Sequence, residues 1–559
     1  MKHSLFIACV LFFITTCAKA QWTDDSTLNT PIRDAANASF PKIAQSLNGN
    51  SYISWFEINN FNFELHMQLL NPNGNKLWQP DGIIVSNYPQ DSVILPYDLK
   101  TDNDGNVIIA FPNKRNDSLH IVVNKIDLNG NFLWGANGIS LFDSSSQNGY
   151  NPSIGITAQN DIAIAWIADS ASSKWIAAQR LSPSGILQWN NIYRIKDSNS
   201  ILNFSYPKLF PSGSDEIQIV FIEENGSLPN VTTTLYTQRV HASGNNFWPS
   251  PIKVSSKKLS SFSFSNPIPD DNGGFYITYN SYNPVNSTLS DVYVQNVDYN
   301  GNLWSSTGIE AANSTTTNKR VVSGIYVSFT SEYWVLMQLL DGSFSNSGIS
   351  VQKFDALGNI LFNDNALIIS PIDPVFYNPN SFNYVNDGII ISSTYGSSGQ
   401  QHIKAFKIDN DGIPLWANTS VSINATNSNK DYVQSGEFID SNLVFVWQDD
   451  RNGSGIFAQS IAGNGILRNT TGISNLTNEN NILFFPNQSN SPVVYFPLPS
   501  KSKCFIQIND LLGKELAFIN VPIQSTFFSL NNFENLSRGL YFVSVNTNNN
   551  IRIFKWIKK

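Results

Sequence analysis

One phrase, a tight turn closed by glycine and followed by a large aromatic residue, returns along most of this chain of 559 residues. A fixed period near 50 residues is typical of propellers and solenoids, because each copy is one supersecondary unit that stacks on the next. The repeat therefore constrains the fold more than any single motif does. The turn glycines recur at intervals of 53 to 59 residues, as Gly74, Gly130, Gly185, Gly244, Gly301, Gly358, Gly412 and Gly465.

Each repeat contains several short runs of β-branched and aromatic residues separated by turns, and no run sustains a helical period. In residues 151–191 the pattern predicts strands at Ile154 to Thr157, Asp161 to Ile167 and Trp175 to Leu181, with a fourth that begins at Ile186. Four antiparallel strands in each of eight repeats predict an all-β chain. The expected architecture is an eight-bladed β-propeller over residues 21–476, with repeats of about 56 residues.

An aromatic residue lies four residues after the turn glycine in six of the eight repeats, and in the fifth repeat Trp304 is displaced by one. Because a ligand site rarely needs seven equivalent copies, we interpret these rings as structural residues that pack against the neighbouring repeat. The eighth repeat has no aromatic residue at this position. The predicted set is Trp78, Trp134, Trp189, Trp248, Trp304, Phe362 and Trp416.

A side-chain amide recurs six residues before most of the turn glycines. A buried amide in mid-strand must satisfy both its donor and its acceptor, which predicts hydrogen bonds to adjoining backbone. The residues are Gln68, Gln179, Gln238, Gln295, Gln352 and Gln459, with Asn124 as a shorter equivalent and Phe406 as the exception.

A ring of repeats must also join its two ends. Residues 29–44 resemble the stretch that leads each later repeat into its first strand, so we predict that Thr30 to Asp34 adds the outer strand to the eighth repeat. Residues Gly472 to Leu476 are the competing candidate for that strand.

The first twenty residues have the pattern of a secretory signal peptide, with Lys2 before an apolar run and a small-residue site ending at Ala20. Acylation at Cys17, as in a lipoprotein, is the alternative. Once the signal is removed, Cys504 has no partner for a disulfide within the chain, and no later run is long enough for a membrane span.

Composition and motifs exclude several classes of function. Charged residues make up 14% of the chain and the net charge is −8, which argues against nucleic acid as a partner. His120 and His402 lie at equivalent positions of distant repeats, so they do not predict a metal site. The acidic runs beginning at Asp102, Asp270 and Asp409 are predicted to be hairpin turns rather than calcium loops. We predict no cofactor, no metal and no catalytic residue.

A different pattern begins at residue 482, after a linker at 477–481, and predicts a small β-sandwich with an Ig-like fold. Its segments FFPN, INDLLGKEL, LSRGLYFVSV and FKWIKK resemble the C-terminal sorting domain of the type IX secretion system of Bacteroidetes. The resemblance implies the type IX secretion machinery as a partner, passage through the periplasm, and an outer-membrane surface or secreted location. The motif residues are Pro486, Asn487, Asp510, Leu512, Gly513, Lys514, Gly539, Tyr541, Lys555 and Lys558.

Two functions remain open. The first is a non-enzymatic binding protein at the cell surface or in the medium, in which a rigid scaffold presents variable connections to a glycan or protein ligand. The segments after the second strand vary most, at Glu223 to Thr234, Asn280 to Ser290 and Asp449 to Gly453. The second is a polysaccharide-degrading enzyme, a glycosidase or lyase, with its site in a propeller cleft.

Overall fold

The computed structural model describes two stretches of the chain. The first is residues 22–467, except 35, 60–61, 89–95, 116, 200, 214, 227–229, 315, 386 and 440. The second is the parts of the C-terminal region at 483–485, 493–495, 504–510, 514–521, 527–530, 533, 536–547 and 550–558. The chain divides into two compact units, Met1–Asn469 and Thr470–Lys559. The predicted signal peptide and linker lie outside the described residues.

Regular structure in the repeat region is antiparallel β-sheet, which confirms the predicted all-β class. The N-terminal strand β1 (Thr30–Arg33) belongs to the last sheet of this region. Sheets 1 to 4 each have four strands in chain order. Sheet 1 contains β2 (Ala38–Gln45), β3 (Ser51–Asn59), β4 (Asn62–Leu70) and β5 (Ile83–Ser86), and sheet 2 contains β6 (Asp98–Thr101), β7 (Val107–Arg115), β8 (Ser118–Ile126) and β9 (Ile139–Leu141). Sheet 3 contains β10 (Asn148–Ile156), β11 (Ile162–Asp169), β12 (Lys174–Leu181) and β13 (Tyr193–Ile195), and sheet 4 contains β14 (Leu202–Ser212), β15 (Glu216–Asn225), β16 (Thr232–Val240) and β17 (Ile252–Lys253).

Sheets 5 to 8 continue the same order. In sheet 5 two short strands, β18 and β19, both pair with β20 and replace a continuous first strand. Sheet 8 takes β1 as its outer strand. Sheet 5 contains β18 (Leu259–Phe264), β19 (Ile268–Pro269), β20 (Phe275–Tyr282), β21 (Ser290–Val297) and β22 (Ile309–Glu310), and sheet 6 contains β23 (Asn318–Val327), β24 (Glu332–Leu340), β25 (Ser347–Phe354) and β26 (Leu367–Asp373). Sheet 7 contains β27 (Tyr377–Val385), β28 (Gly388–Tyr395), β29 (Gln401–Ile408) and β30 (Val421–Ser428), and sheet 8 adds β31 (Lys430–Ser435), β32 (Asn442–Asp449) and β33 (Gly455–Ala462) to β1.

Apolar residues on facing sheets form a buried core between each sheet and the next. Sheets 1 and 2, for example, bury Phe56 and Phe111 in one cluster. The series closes on itself, because Ile53 of sheet 1 and Val446 of sheet 8 share another cluster. No sheet of this series is therefore left with an uncovered end face in the described part of the repeat region.

The predicted closing strand is confirmed. β1 pairs antiparallel with β33, with Thr30 opposite Ala458 and Pro31 opposite Phe457. Arg33 then reaches sheet 1 through an ion pair with Glu57, with 2.8 Å between Nε and Oε1. The competing segment at 472–476 lies outside the described residues.

The repeated tryptophan lies over the turn glycine of the following repeat. Trp189 is buried and donates its indole N–H to the carbonyl of Ala242 at 2.7 Å, two residues before Gly244. A Cβ added at Gly244 would lie 3.0 Å from that ring, and the φ of +83° also favours glycine. Trp78, Trp304 and Trp416 make equivalent N–H bonds to Leu128, Ala356 and Gly463. The glycine therefore leaves room for the indole wherever the preceding repeat carries tryptophan, whereas Gly412, which follows the Phe362 repeat, faces Leu367.

Trp22 supplies the ring that the eighth repeat lacks. Its indole lies over Gly74, where an added Cβ would approach within 2.7 Å, and it donates to the carbonyl of Pro72 at 2.8 Å. The next residue, Thr23, accepts a hydrogen bond from the Gln459 side chain at 3.2 Å. The N-terminal segment therefore replaces both the missing aromatic residue and the missing outer strand.

Most of the recurring amides donate to backbone as predicted, whereas the side-chain oxygens of Asn124 and Gln238 are buried without a hydrogen-bond partner among the described residues. Gln179 donates to the carbonyl of Trp189 at 3.1 Å and accepts from the backbone N–H groups of Arg180 and Trp189. Gln68, Gln238, Gln295 and Gln352 also donate to carbonyls at or next to the aromatic position. The amide thus holds the segment that carries the capping ring.

The predicted start of the fourth strand at Ile186 is wrong. That strand is β13 and begins at Tyr193, whereas Ile186 is 64% exposed and Leu187 makes only an isolated bridge to Leu181. The intervening residues place Trp189 over the next turn, so the chain reaches the sheet edge later than the apolar pattern indicates.

We propose that the repeat aromatics are structural, and Trp189 provides the test. Trp189→Ala is expected to lower the free energy of unfolding by about 3–5 kcal/mol, because a buried ring is lost over Gly244. Trp189→Phe keeps most of the ring and loses the N–H bond to Ala242, which costs about 0.5–1.5 kcal/mol. Urea unfolding measures both values, and an unchanged midpoint for Trp189→Ala would contradict the structural role.

The C-terminal unit contains two sheets. The first has β34 (Leu483–Phe485), β35 (Val493–Tyr495) and β38 (Phe527–Ser529), and the second has β36 (Cys504–Asn509), β37 (Glu515–Val521), β39 (Gly539–Thr547) and β40 (Asn550–Lys558). Val494 of the first sheet shares a buried cluster with Ile506 and Trp556 of the second. Two sheets over one core agree with the predicted sandwich, and the Ig-like topology stays a prediction.

Candidate binding site

The first strand of several sheets is interrupted by a β-bulge that contains a left-handed residue other than glycine. The backbone φ is 55° at Phe40 and Asn151, and 52° at Tyr206 and Tyr432. The register of β2, β10, β14 and β31 shifts at these points. A proline follows three of them, and proline has no N–H with which to pair to the next strand.

A positive φ is uncommon for bulky side chains and costs about 1–3 kcal/mol for each residue. Asparagine tolerates this conformation better than phenylalanine or tyrosine does, and Asn151 shows that it fits here. Strain of this kind persists where the side chain has a task that outweighs it. We call Phe40, Tyr206 and Tyr432 the bulge aromatics.

The bulge aromatics line two cavities along the first strands. The larger cavity has a volume of about 530 Å³, and Tyr150, Lys174, Tyr206 and Glu224 contribute to its wall. The smaller cavity, of about 210 Å³, is lined by Phe40, Lys42, Tyr97, Tyr432 and Gln434 among others. Pro96 lines both cavities, so the two lie side by side.

Two of the bulge aromatics are exposed at the surface. Tyr432 is 47% exposed and Tyr206 is 42% exposed. The rings of Phe40 and Tyr432 lie 4.1 Å apart between centroids, across the junction between sheets 1 and 8. Tyr432 is exposed and Phe40 is half-buried beneath it, so the pair provides an apolar aromatic platform.

Polar groups of the larger cavity are tied to one another. Ser205 donates a hydrogen bond to the carboxylate of Glu224, and the ammonium of Lys174 lies 3.9 Å from the same carboxylate. Burial raises the pKa of the Tyr150 phenol, and the charges of Asp169 and Glu224 raise it further. Tyr150 is therefore protonated at neutral pH, which suits hydrogen bonding better than proton abstraction.

One of the predicted variable connections reaches this site. Gly226 and Val231, which belong to the segment Glu223 to Thr234, line the larger cavity. The segments Asn280 to Ser290 and Asp449 to Gly453 line neither of the two cavities in the described part of the chain. The larger cavity therefore combines a repeated strand position with a connection that is specific to the fourth repeat.

The repeat aromatics are not part of this site. The bulge of β14 lies opposite the C-terminal half of β15, since Ser205 pairs with Ile222. The turn glycines instead follow the third strands, whose ends pair with the starts of the second strands, as Val240 does with Ile217. Trp78, Trp134, Trp189, Trp248, Trp304, Phe362 and Trp416 therefore lie toward the opposite ends of the sheets.

The acidic runs close turns, as predicted. Asp102 accepts the backbone N–H groups of Asp104 and Asn106, and Asp409 accepts those of Asp411 and Ile413. Asp270 accepts those of Asn272 and Gly274. The described residues contain no group of three or more His, Cys, Asp or Glu side chains that is arranged to hold a metal ion.

The two repeat-equivalent histidines are satisfied within their own sheets. His120 Nδ1 lies 2.8 Å from the Ser140 hydroxyl, and its ring stacks on Phe142. His402 Nε2 lies 2.7 Å from the side-chain oxygen of Asn427. Each histidine therefore has a hydrogen-bond partner on the neighbouring strand of its own sheet.

Several sorting-motif residues have structural contacts in the second unit. Asp510 accepts the backbone N–H of Lys514 at 2.9 Å. Tyr541, the third residue of β39, which begins at Gly539, packs on Trp556 with 5.5 Å between ring centroids. Lys558 donates to the carbonyls of Phe533 and Leu536. Lys555 is exposed, and Pro486, Asn487, Leu512 and Gly513 lie outside the described residues.

The bulge aromatics and the lysines beside them were not predicted as a site. A visible signal was the aromatic-proline pair at Phe40-Pro41 and Tyr206-Pro207, which recurs at the start of the first strand. The left-handed φ and the grouping of side chains from different sheets depend on contacts that one sequence does not show.

Residues 484–559 match the family model of the secretion system C-terminal sorting domain. The match confirms the resemblance to the type IX sorting domain, and it indicates export to the cell surface or secretion. Because 484–559 is a small part of the chain, the match leaves the activity of the repeat region open. The described residues contain no helix with the length and apolar character that a membrane span requires.

Comparison with curated protein sequences finds no match for this chain. Among solved structures it is similar to polysaccharide lyase Uly1, with a TM-score of 0.39 and 9% identity over 76% of this chain and 89% of the lyase. An α-L-arabinanase of Penicillium chrysogenum gives a TM-score of 0.31 and 12% identity over 56% of this chain and 93% of the other. An endo-arabinase of Bacteroides thetaiotaomicron gives 0.29 and 11% over 52% and 96%.

Proposed function

We propose that the repeat region is an eight-bladed β-propeller that binds a glycan through the bulge aromatics. In this arrangement the first strands of the sheets line the centre of the ring, and the two cavities open beside them. The observation that carries the proposal is the exposure of Tyr206 and Tyr432 at a backbone conformation that disfavours tyrosine.

Sugar rings present C–H groups that pack on aromatic faces, while their hydroxyls need nearby donors and acceptors. The cavities supply both kinds of contact, because the bulge aromatics adjoin Lys174, Glu224 and Gln434. Cavities of about 530 and 210 Å³ have room for one or two sugar units. They are too small to receive a protein partner as ligand.

Polysaccharide cleavage is the alternative function. A glycosidase needs two carboxyl groups on either side of the scissile bond. Glu224 is the one carboxylate on the wall of the larger cavity within the described residues, and it is already held by Ser205. Tyr150 remains protonated and is unsuited to act as a base. These features favour binding, and turnover of a polysaccharide panel by the intact protein would favour the enzyme.

The route of export is part of the proposal. Residues 1–20 would direct the chain to the periplasm, and the C-terminal domain would then be recognised by the type IX secretion machinery at the outer membrane. The mass of the mature protein shows whether that domain is cleaved. Its location shows whether the protein is attached to the surface or released into the medium.

The test separates a binding role from a structural one. The double variant Tyr206→Asn/Tyr432→Asn removes both rings and relieves the strain, since asparagine accepts a left-handed φ. We expect its melting temperature to equal or exceed that of the parent. We also expect its affinity for the retained glycan to fall by about tenfold or more, which corresponds to about 1.4 kcal/mol.

A glycan array first identifies the retained polymer, and affinity electrophoresis of residues 21–559 then measures binding. Tyr282→Asn is the matched control, because Tyr282 is 50% exposed and lines neither cavity. Unchanged affinity in the double variant, or a clear loss of its stability, would contradict the proposal.

A further inference from the structure

Lys42 lines the smaller cavity, and two further lysines of the first strands belong to the same electrostatic group. Lys42 lies on β2 of sheet 1, Lys100 on β6 of sheet 2 and Lys208 on β14 of sheet 4. Lys42 and Lys100 both act electrostatically on Lys208. Lys208 is therefore within electrostatic range of both, although sheet 3 separates sheets 2 and 4.

None of these three ammonium groups makes a hydrogen bond or an ion pair with another described residue. Lys42 instead lies over the ring of Tyr97, 5.5 Å from its centroid. Among the described residues, Asp98 is the acidic residue that acts on Lys208. Its two oxygens accept the backbone N–H groups of Leu99 and Ile154 at 2.9 and 2.8 Å.

The local charge is therefore positive, in a chain whose net charge is −8. Burial lowers the pKa of Lys208, the Asp98 charge opposes this effect, and the charges of Lys42 and Lys100 add to it. Buried lysines of the described repeat region have acidic partners, as Lys319 has in Asp291 and Lys125 has in Asp102. Lys42 and Lys208 are half-buried and Lys100 is exposed, so a bound anion would relieve the repulsion among them.

The neighbouring wall supplies the contacts that a sugar needs. The side-chain amide of Gln434 has no hydrogen-bond partner among the described residues, and it lines the smaller cavity with Lys42, Phe40 and Tyr432. An aromatic platform beside the Lys42 ammonium, which has no acidic partner among the described residues, fits a sugar ring that carries an anionic substituent.

We infer that the glycan is acidic, and that Lys42 and Lys208 bind its carboxylate or sulfate groups while Phe40 and Tyr432 stack on the sugar. This inference rests on the proposed glycan-binding function and specifies its ligand. Lys100 adds positive charge at the same place. A neutral polymer would leave the lysines uncompensated.

Two matched pairs of polymers test the charge and identify its source. Polygalacturonate is compared with its methyl ester for carboxylate, and dextran sulfate with dextran for sulfate. We expect the protein of residues 21–559 to bind one charged polymer at least tenfold more tightly than its neutral partner. The affinity should fall as salt or pH rises, because salt screens the lysines and a high pH removes the proton from Lys208.

The double variant Lys42→Gln/Lys208→Gln should lose at least tenfold in affinity for the charged polymer. Lys253→Gln removes the same charge from the exposed strand β17 and should retain parent affinity. Equal loss in the control would overturn the inference, because it would indicate a general attraction of polyanions.

The inference and the proposed function fail differently. Binding to neutral and charged polymers alike, with dependence on Tyr206 and Tyr432, would overturn the acidic ligand and leave glycan binding intact. If the protein binds no polymer of the array and neither of the two pairs, the acidic ligand and the glycan-binding function are both overturned.

Discussion

Deletion of residues 21–36 is expected to destabilise the whole repeat region, with loss of its single cooperative unfolding transition. The deletion removes β1 from sheet 8 and Trp22 from its position over Gly74. Loss of a buried tryptophan alone costs about 3–5 kcal/mol. Because a folded domain is stable by about 5–15 kcal/mol, the combined loss removes most of that margin.

A graded series keeps this prediction testable when the deletion variant aggregates. Trp22→Ala should lower the melting temperature more than Trp22→Phe, which loses mainly the N–H bond to Pro72. A synthetic peptide of residues 22–36 should restore the transition of the deletion variant in a dose-dependent way. Differential scanning calorimetry measures each case, and a deletion variant as stable as its parent would show that the N-terminal segment does not close the ring.

Removal of residues 477–559 is expected to abolish export of the repeat region past the periplasm. Residues 484–559 match the sorting domain, so their removal should take away the signal for export. They belong to a separate compact unit, so the repeat region should still fold without them. Cell fractionation and immunoblotting of the truncated chain, in a host with a type IX system, measure its location. The full chain should reach the surface or the medium in the same host.

The converse experiment supplies the control. A periplasmic reporter fused to residues 477–559 should leave the periplasm, whereas the reporter fused to 468–483 should remain there. The same fusion in a host without the type IX system should also remain. A reporter that stays in the periplasm with the complete domain would contradict a sorting role.

The sequence pattern predicted those parts of the fold that depend on neighbouring residues. Turn glycines such as Gly244, acidic turn residues such as Asp409 and the amide of Gln179 act within a hairpin, so their spacing carries the information. The fourth strand was misplaced at Ile186 because the position of Trp189 depends on a turn about 55 residues further along the chain. The role of Trp22 was missed for the same reason, since its partner Gly74 lies in another repeat.

The candidate site was less accessible to sequence reasoning. The left-handed conformation of Tyr432 follows from a shift in register between β31 and β32, not from the residues beside it. The grouping of Lys42 with Lys208 depends on the positions of sheets 1 and 4. The variable connection at 223–234 was identified because its length differs between repeats, and part of it does line the larger cavity.

The strand β1 has a consequence for the order in which the molecule is made. A ribosome releases the N-terminus first, yet the hydrogen-bonding partner of that strand, β33, is among the last segments of the repeat region to emerge. The earliest part of the chain must therefore wait, unpaired, until almost the entire repeat region has been synthesised. A prematurely terminated chain that lacks β33 would leave β1 unpaired and able to pair with other molecules. Only a chain that includes β33 can pair β1 within itself.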